Sequence, residues 1–168
     1  MTTRRHLLGL ALASSLLAAG LPAQAQGAYP SKPVKVVVGY AAGGAVDAVA
    51  RTIGQALQGS LGQSFIVENK PGAGTNIAVK SVIDAPADGY TLMMAANALA
   101  ANPSLYQPSP FDPERDLAPV ALIGRVPVVI AANASAPFNS VAQLVAAAKA
   151  KPNSVAFASP GNGSTPHM

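Results

Sequence analysis

The chain has 168 residues, of which 50% are hydrophobic and 11% are charged, so it has the composition of a globular protein with enough mass to bury a core. The net charge is +4, but no cluster of lysine and arginine with interleaved aromatics is present, so nucleic acid is not expected as a partner. Cysteine is absent, which excludes disulfide bonds.

Residues 1–25 have the three parts of an export signal. Arg4 and Arg5 form the charged start, an apolar run covers residues 7–17, and Ala23-Gln24-Ala25 is a small-x-small cleavage site. The apolar run is shorter than the roughly 20 residues of a membrane span. Paired arginines also fit the twin-arginine route, so we expect export by Sec or Tat, with cleavage after Ala25.

The first predicted strand covers residues 34–39, which are nearly all β-branched and apolar. It continues into a first glycine loop, residues 39–44, and then into a helix whose apolar positions recur at helical spacing from Val46 to Leu61. A second strand is predicted over residues 64–68. A glycine turn between a strand and a helix directs backbone N–H groups and the positive end of the helix dipole at one point, which favours anion binding.

The alternation of predicted strands and helices continues to residue 95. Thr75 is predicted to cap a helix that includes Ile77 and Ile83, and residues 90–95 form a third predicted strand. This alternation of strands and helices predicts a doubly wound α/β lobe. From residue 96 to residue 119 the periodicity is lost, and an irregular connection is expected.

The last third of the chain has weaker signals. Apolar extended runs are predicted over residues 120–123 and 126–131, Ser140 begins a helix with Gln143 in a capping box, and residues 155–158 form a last strand. That strand enters a second glycine loop, residues 159–167, where Ser164 or Thr165 would cap a helix. Because a domain rarely ends at a helix N-terminus, we expect the chain to be incomplete.

Three other kinds of site are alternatives to a simple anion-binding site at the glycine loops. Neither loop has the G-x-G-x-x-G spacing or a P-loop lysine, which argues against a nucleotide. Beyond the signal there is one histidine and no cysteine, so neither a metal nor another cofactor is expected.

An exported hydrolase is the third alternative, because Ser164, His167 and Asp47 supply the residue types of a catalytic triad. However, Ser164 is not in a G-x-S-x-G elbow, and its spacing to His167 suits helix capping better, so no catalytic residue is predicted. Asp47 has two possible roles: capping its helix, or accepting hydrogen bonds from a ligand's ammonium or hydroxyl group.

Six motifs of the chain, in this order and at this spacing, resemble those of the Bug-type receptors, the extracytoplasmic solute receptors of tripartite tricarboxylate transporters. They are Tyr29-Pro30-Ser31-Lys32-Pro33, Tyr40-Ala41-Ala42-Gly43-Gly44-x-x-Asp47, Val67-Glu68-Asn69-Lys70-Pro71-Gly72-Ala73-Gly74, Asp88-Gly89-Tyr90-Thr91-Leu92, Asn102-Pro103-Ser104-Leu105-Tyr106 and Ser159-x-Gly161-x-Gly163-Ser164-x-x-His167. The resemblance covers the whole chain after the signal.

The resemblance implies a fold like that of the type II periplasmic binding proteins, with two doubly wound lobes and a cleft between them. The first lobe and its connection would cover residues 26–119. Hinge strands and the start of a second, incomplete lobe would cover residues 120–168. The implied function is non-enzymatic: a monomeric periplasmic receptor delivers a small carboxylate to a membrane permease. A ligand sensor for a membrane signalling partner would use the same binding residues.

The resemblance also implies which residues bind the carboxylate, mainly through backbone N–H groups. The candidates are Ala42, Gly43, Gly44, Asp47, Asn97, Ser159, Gly161, Gly163, Ser164, Thr165 and His167. The first loop departs from the family's usual pattern at Val46, where a threonine hydroxyl is missing. Family members are longer than this chain, so we expect the 168 residues alone to bind carboxylates weakly or not at all.

Overall fold

The computed structural model describes residues 28–168, so the predicted export signal over residues 1–25 lies outside the described residues. The chain divides into two units after Ser31, and the helices and strands named below all belong to the unit Lys32–Met168. Of the other unit, residues 28–31 are described and contain neither helix nor strand. Within residues 28–168, no helix has the length and apolar character needed to cross a bilayer.

A parallel three-stranded sheet lies at the centre of the lobe. Its strands are β1 (Val34–Val38), β2 (Phe65–Asn69) and β3 (Thr91–Met94), in the spatial order β2-β1-β3. In this register Val36 of β1 lies opposite Val67 and Leu92. The central strand buries four of its five side chains, as its β-branched run predicts. The three predicted strands are confirmed within one or two residues at each end, and the α/β class with them.

Helices cover both faces of this sheet. Helix α1 (Ala45–Leu61) ends at Gly62, whose left-handed φ of 72° is typical of a glycine that terminates a helix. Ala50 of α1 packs on Val36 and Val38. Helix α2 (Asn76–Ile83) follows a 3₁₀ turn over Ala73–Thr75 and approaches the other face of β1, near Gly39. Connections between parallel strands of one sheet are right-handed. For the strand order β2-β1-β3, this rule places the two connecting helices on opposite faces of the sheet.

The expected irregular connection over residues 96–119 contains two helices, so this prediction was wrong in part. Helix α3 (Ala98–Leu105) forms despite Pro103 in its interior. Its buried Asn102 bonds to the turn before α2, and such tertiary contacts override a weak local propensity. The short helix α4 (Pro113–Asp116) begins at Asp112, whose side chain accepts hydrogen bonds from the N–H groups of Glu114 and Arg115.

Residues 120–168 contain one helix and no strand. Helix α5 (Val141–Ala150) begins as predicted, because the Ser140 hydroxyl accepts a hydrogen bond from the N–H of Gln143 at 3.3 Å. The runs over residues 120–123, 126–131 and 155–158 do not form the predicted strands. No strand of the described sheet pairs with them, so their apolar side chains stay exposed, with Val120 at 82% and Val129 at 79%.

Candidate functional site

The strand order creates a crevice at the carboxyl edge of the sheet. From β1 the chain turns toward β2, whereas β3 lies on the other side of β1. In open parallel sheets, ligands bind where connections diverge in this way, outside the carboxyl ends of the strands. The first glycine loop follows β1 and Asn97 follows β3, so both predicted groups lie at this edge.

The first glycine loop presents an open helix N-terminus. Gly43 has a φ of 84°, and a side chain added there would meet nothing within 4 Å. Gly44 precedes α1 in an extended conformation and provides no side-chain cap. The first N–H groups of a helix have no acceptor within the helix. Ala42, Gly43 and Gly44 are all exposed, so an anion can approach the first turn of α1 from solvent.

The side-chain carboxylate of Asp47 holds this loop in shape. Asp47 is only 3% exposed, and its carboxylate accepts three hydrogen bonds and forms an ion pair. Nε of Arg51 donates one bond at 3.0 Å, the N–H of Gly43 donates one at 2.8 Å, and the Nδ2 of Asn69 donates one at 2.9 Å. Nη2 of Arg51 pairs with the other Asp47 oxygen, Oδ1, at 3.0 Å. Asn69 also donates to the carbonyl oxygen of Tyr40 at 3.1 Å. Both Asp47 oxygens and the Gly43 N–H are therefore engaged within the protein, and the N–H groups of the first turn of α1 remain for a ligand.

Arg51 and Asn69 are positioning residues that the sequence reasoning missed. Asn69 stands in the Val67-to-Gly74 motif, but no role was assigned to it. Its position contained a signal, because the last residue of β2 lies at the carboxyl edge beside the end of β1. Arg51 follows Asp47 at a spacing of four, which places the two side chains on one face of a helix.

The bonds to Asp47 make the stability of this loop depend on pH. The Arg51 guanidinium, the Gly43 N–H and the Asn69 amide hold the pKa of the Asp47 carboxyl well below its usual range. A carboxylate with a lowered pKa in the folded state stabilises the protein above the unfolded-state pKa of about 4, and this contribution is lost progressively below that pH.

We therefore expect Asp47→Asn to be less stable than the unchanged chain at pH 7 and this difference to narrow as the pH falls below about 4. Urea unfolding at a series of pH values measures it. Glu68, Asp88 and Asp116 also have lowered pKa values, so the stability of each protein alone changes with pH. The quantity to follow is therefore the difference in unfolding free energy between Asp47→Asn and the unchanged chain. A difference that stays constant from neutral to acidic pH contradicts this role of Asp47.

The second glycine loop is folded on itself by hydrogen bonds among its own residues. The Ser159 hydroxyl lies 2.8 Å from Nδ1 of His167, and the Ser164 hydroxyl donates to the Gly161 carbonyl oxygen at 2.6 Å. Gly163 and Ser164 are buried, whereas Thr165 and His167 are exposed. The helix predicted to begin at Ser164 or Thr165 is not present, and residues 161–167 form consecutive turns instead.

Asn97 connects the second glycine loop to the segment that follows β3. Its Nδ2 donates to the carbonyl oxygen of Gly163 at 2.9 Å. The structure therefore brings Asn97 and the second loop together at the carboxyl edge of β3. Ala42, Gly43 and Gly44 remain on the open side of the same edge.

The three residues of the hydrolase alternative do not assemble into a triad. The hydroxyl that bonds to the His167 ring belongs to Ser159, and the Ser164 hydroxyl donates to the carbonyl oxygen of Gly161 instead. Asp47 is bonded to Arg51, Gly43 and Asn69. In the described part of the chain, no three acidic, histidine or cysteine side chains come together as a metal site.

Comparisons with known proteins point to one family. Residues 49–168 match the tripartite tricarboxylate transporter family receptor. The chain is 42% identical over 156 residues to a UPF0065 protein of Bordetella bronchiseptica, covering 92% of this chain and 46% of that protein. It is 36% identical over 170 residues to protein BugT of Bordetella pertussis, covering 100% of this chain and 51% of BugT. The chain thus spans about half the length of these curated relatives.

Two of the solved structures that are similar to the chain hold a ligand. R. palustris Rpa4515 with adipate is 37% identical, with a TM-score of 0.70, and the match covers 76% of this chain and 43% of that one. MatC from Rhodopseudomonas palustris with bound malate is also 37% identical, with a TM-score of 0.50, and the match covers 56% of this chain and 33% of MatC.

Proposed function

The chain belongs to the tripartite tricarboxylate transporter receptor family, and from this we propose that it binds a small carboxylate in the periplasm and presents it to a membrane permease. The observation that carries the proposal is the position of the two glycine loops. Both lie at the carboxyl edge of one parallel sheet, and Asn97 connects the second loop to that edge. The export signal predicted over residues 1–25 supports a periplasmic location.

The first loop would receive one carboxylate group of the ligand. Ala42, Gly43 and Gly44 leave the approach to α1 open, and the dipole of this 17-residue helix favours a negative charge at its N-terminus. Asp47 and the Gly43 N–H would hold the loop in shape, because their hydrogen bonds are already made within the protein. Val46 offers no hydroxyl, so recognition at this position would rest on backbone N–H groups.

The second loop would form the opposite side of the site. Its candidate residues are Ser159, Gly161, Gly163, Ser164, Thr165 and His167. Thr165 and His167 are the exposed polar side chains among them. The Thr165 hydroxyl and Nε2 of His167 would be the groups that meet a ligand, because Nδ1 of His167 is bonded to Ser159. Related structures hold adipate and malate, which are both dicarboxylates, and these two compounds are the ligands to test first.

An equilibrium titration of the 168-residue chain with adipate and malate tests the proposal. We expect weak binding, with a dissociation constant of about 1 mM or higher. Residues 120–168 contribute one helix and no strand, so water competes for the carboxylate on the open side of the site. The uncharged diamide of adipic acid, which has the same length and no carboxylate, is the matched control and should not bind.

Two results contradict parts of this account in different ways. Equal responses to adipate and to its diamide would remove the carboxylate site and with it the proposed function. Micromolar binding of either dicarboxylate by the 168-residue chain would leave the function in place but contradict the expectation of an open site.

A further inference from the structure

The contact between the second glycine loop and helix α3 contains a buried asparagine that the proposed carboxylate site does not use. Asn102 has no exposed surface. Its Nδ2 donates to the carbonyl oxygen of Gly74 and to Oδ1 of Asn76, at 2.6 Å each. Two short hydrogen bonds to the same nitrogen fix the plane of the amide group. The position of the other amide atom, Oδ1, is therefore fixed as well.

The Oδ1 atom of Asn102 faces Gly163. It is buried without a hydrogen-bond partner, which is uncommon for an amide oxygen. A Cβ atom added to Gly163 would lie 2.5 Å from this oxygen and 3.5 Å from Cβ of Ala98. Gly163 also has a φ of 77°, where side chains are strained. The loop backbone thus approaches α3 at a position that accepts only glycine.

The same glycine is held from a second direction. Its carbonyl oxygen accepts the hydrogen bond from Asn97, the residue that precedes α3. One asparagine therefore anchors the carbonyl group of Gly163, and the other limits how closely its Cα can approach. Both belong to the same short segment, so together they determine one position of the loop on the first lobe.

We propose that Asn102 is a positioning residue that sets where the second glycine loop meets the first lobe, while Asn97 secures the loop there. The contact is made entirely by residues of this chain. It deepens the proposed function, on which it rests for its ligand-binding consequence: the contact would place the loop beside the crevice that receives the carboxylate.

A double-mutant cycle between Gly163 and Asn102 tests the proposal. Gly163→Ala adds a methyl group against Asn102 and also strains the backbone. Gly161→Ala is the matched control, because Gly161 lies in the same loop with a φ of 118° but has nothing within 4 Å of an added Cβ. The readout is amide hydrogen exchange at Ser164 and His167, whose N–H groups are hydrogen-bonded within the loop.

In the unchanged background we expect Gly163→Ala to lower protection at these amides at least about tenfold more than Gly161→Ala does. In the Asn102→Ala background this excess should fall severalfold, because the oxygen that blocks the methyl group is gone and only the backbone strain of the two positions, at φ values of 77° and 118°, still differs. Asn102→Ala also breaks the bonds to Gly74 and Asn76, but this general loss is common to both arms and cancels in the cycle. An excess cost of Gly163→Ala that is as large without Asn102 overturns the proposal.

Two further measurements keep the proposal testable if Asn102→Ala does not fold. Asn102→Ser shortens the side chain and retains one donor, and it should give the same rescue. In the unchanged chain, nuclear Overhauser contacts between Gly163 Hα and the Asn102 side chain are expected, and their absence overturns the assignment. If the cycle shows coupling but adipate does not bind, the proposed function fails and the positioning role of Asn102 stands.

Discussion

Replacing Asp47 with alanine is expected to release the first glycine loop and to weaken both stability and carboxylate binding. The substitution removes the acceptor of three hydrogen bonds and the partner of an ion pair, and it leaves Arg51 and Asn69 without their common partner. It also frees Gly43, which loses the bond that holds its backbone in the loop. We expect the melting temperature to fall by about 5 °C and the dissociation constant for adipate to rise about tenfold or more.

Asp84→Ala is the control for this comparison. Asp84 forms an ion pair with Lys80 at 2.6 Å and at the same four-residue spacing as Asp47 and Arg51, but both side chains of that pair are exposed. Exposed pairs contribute little, so this variant should change neither property measurably. Circular-dichroism melting and dicarboxylate titration of both variants check the prediction. Equal behaviour of the two variants contradicts a special role of Asp47.

Replacing Gly39 with alanine is expected to lower the free energy of unfolding by about 1–3 kcal/mol, because it overpacks the end of β1. An added Cβ would lie 2.7 Å from Cβ of Thr75 and 3.2 Å from Cβ of Ala78. The control is Gly59→Ala on the exposed side of α1, where nothing lies within 4 Å of the new methyl group. There the same change should stabilise by about 0.5–1 kcal/mol, since alanine is the better helix former.

Thr75→Gly should rescue Gly39→Ala. It removes the nearest atoms, and it relieves a β-branched residue from a φ of 80° with a buried hydroxyl that has no hydrogen-bond partner. Urea unfolding of the two single variants and the double variant measures this coupling. A double variant that is as unstable as Gly39→Ala alone contradicts the steric explanation.

The sequence was sufficient to predict the elements whose signals are local. The β-branched run of β1, the helical spacing after Gly44 and the terminal Gly62 each depend on neighbours within a few residues, so the first strand and helix were predicted nearly to their ends. The capping contact of Ser140 with Gln143 is equally local.

What the sequence did not show depends on contacts between distant residues. Asp47 and Asn69 are 22 positions apart, and they meet only because β2 pairs with β1. Helix α3 was missed because Asn102-Pro103 is typical of a loop, whereas the bonds of Asn102 are made to a turn 28 positions away. The apolar runs over residues 120–131 predict strands by composition alone, but a strand also requires a paired neighbour.

The candidate ligand residues could also be predicted only in part, because some of their contacts join distant parts of the chain. The glycines of the two loops were recognisable because their positions follow predicted strands. The engagement of the Gly43 N–H by Asp47, and of the Asn97 amide by Gly163, was not predictable, because neither bond follows from spacing in the sequence. These two bonds shift the proposed carboxylate contact from Gly43 to the first turn of α1.

Mapping adipate binding by amide chemical shifts in the ¹⁵N-labelled 168-residue chain tests the central claim, that the two glycine loops form one carboxylate site. We expect shift changes at the first turn of α1, residues 45–47, and in residues 161–167 of the second loop, saturating together with one dissociation constant. Changes confined to other parts of the chain, such as the cavity between Pro103 and Asp116, or no changes in either loop, would contradict it.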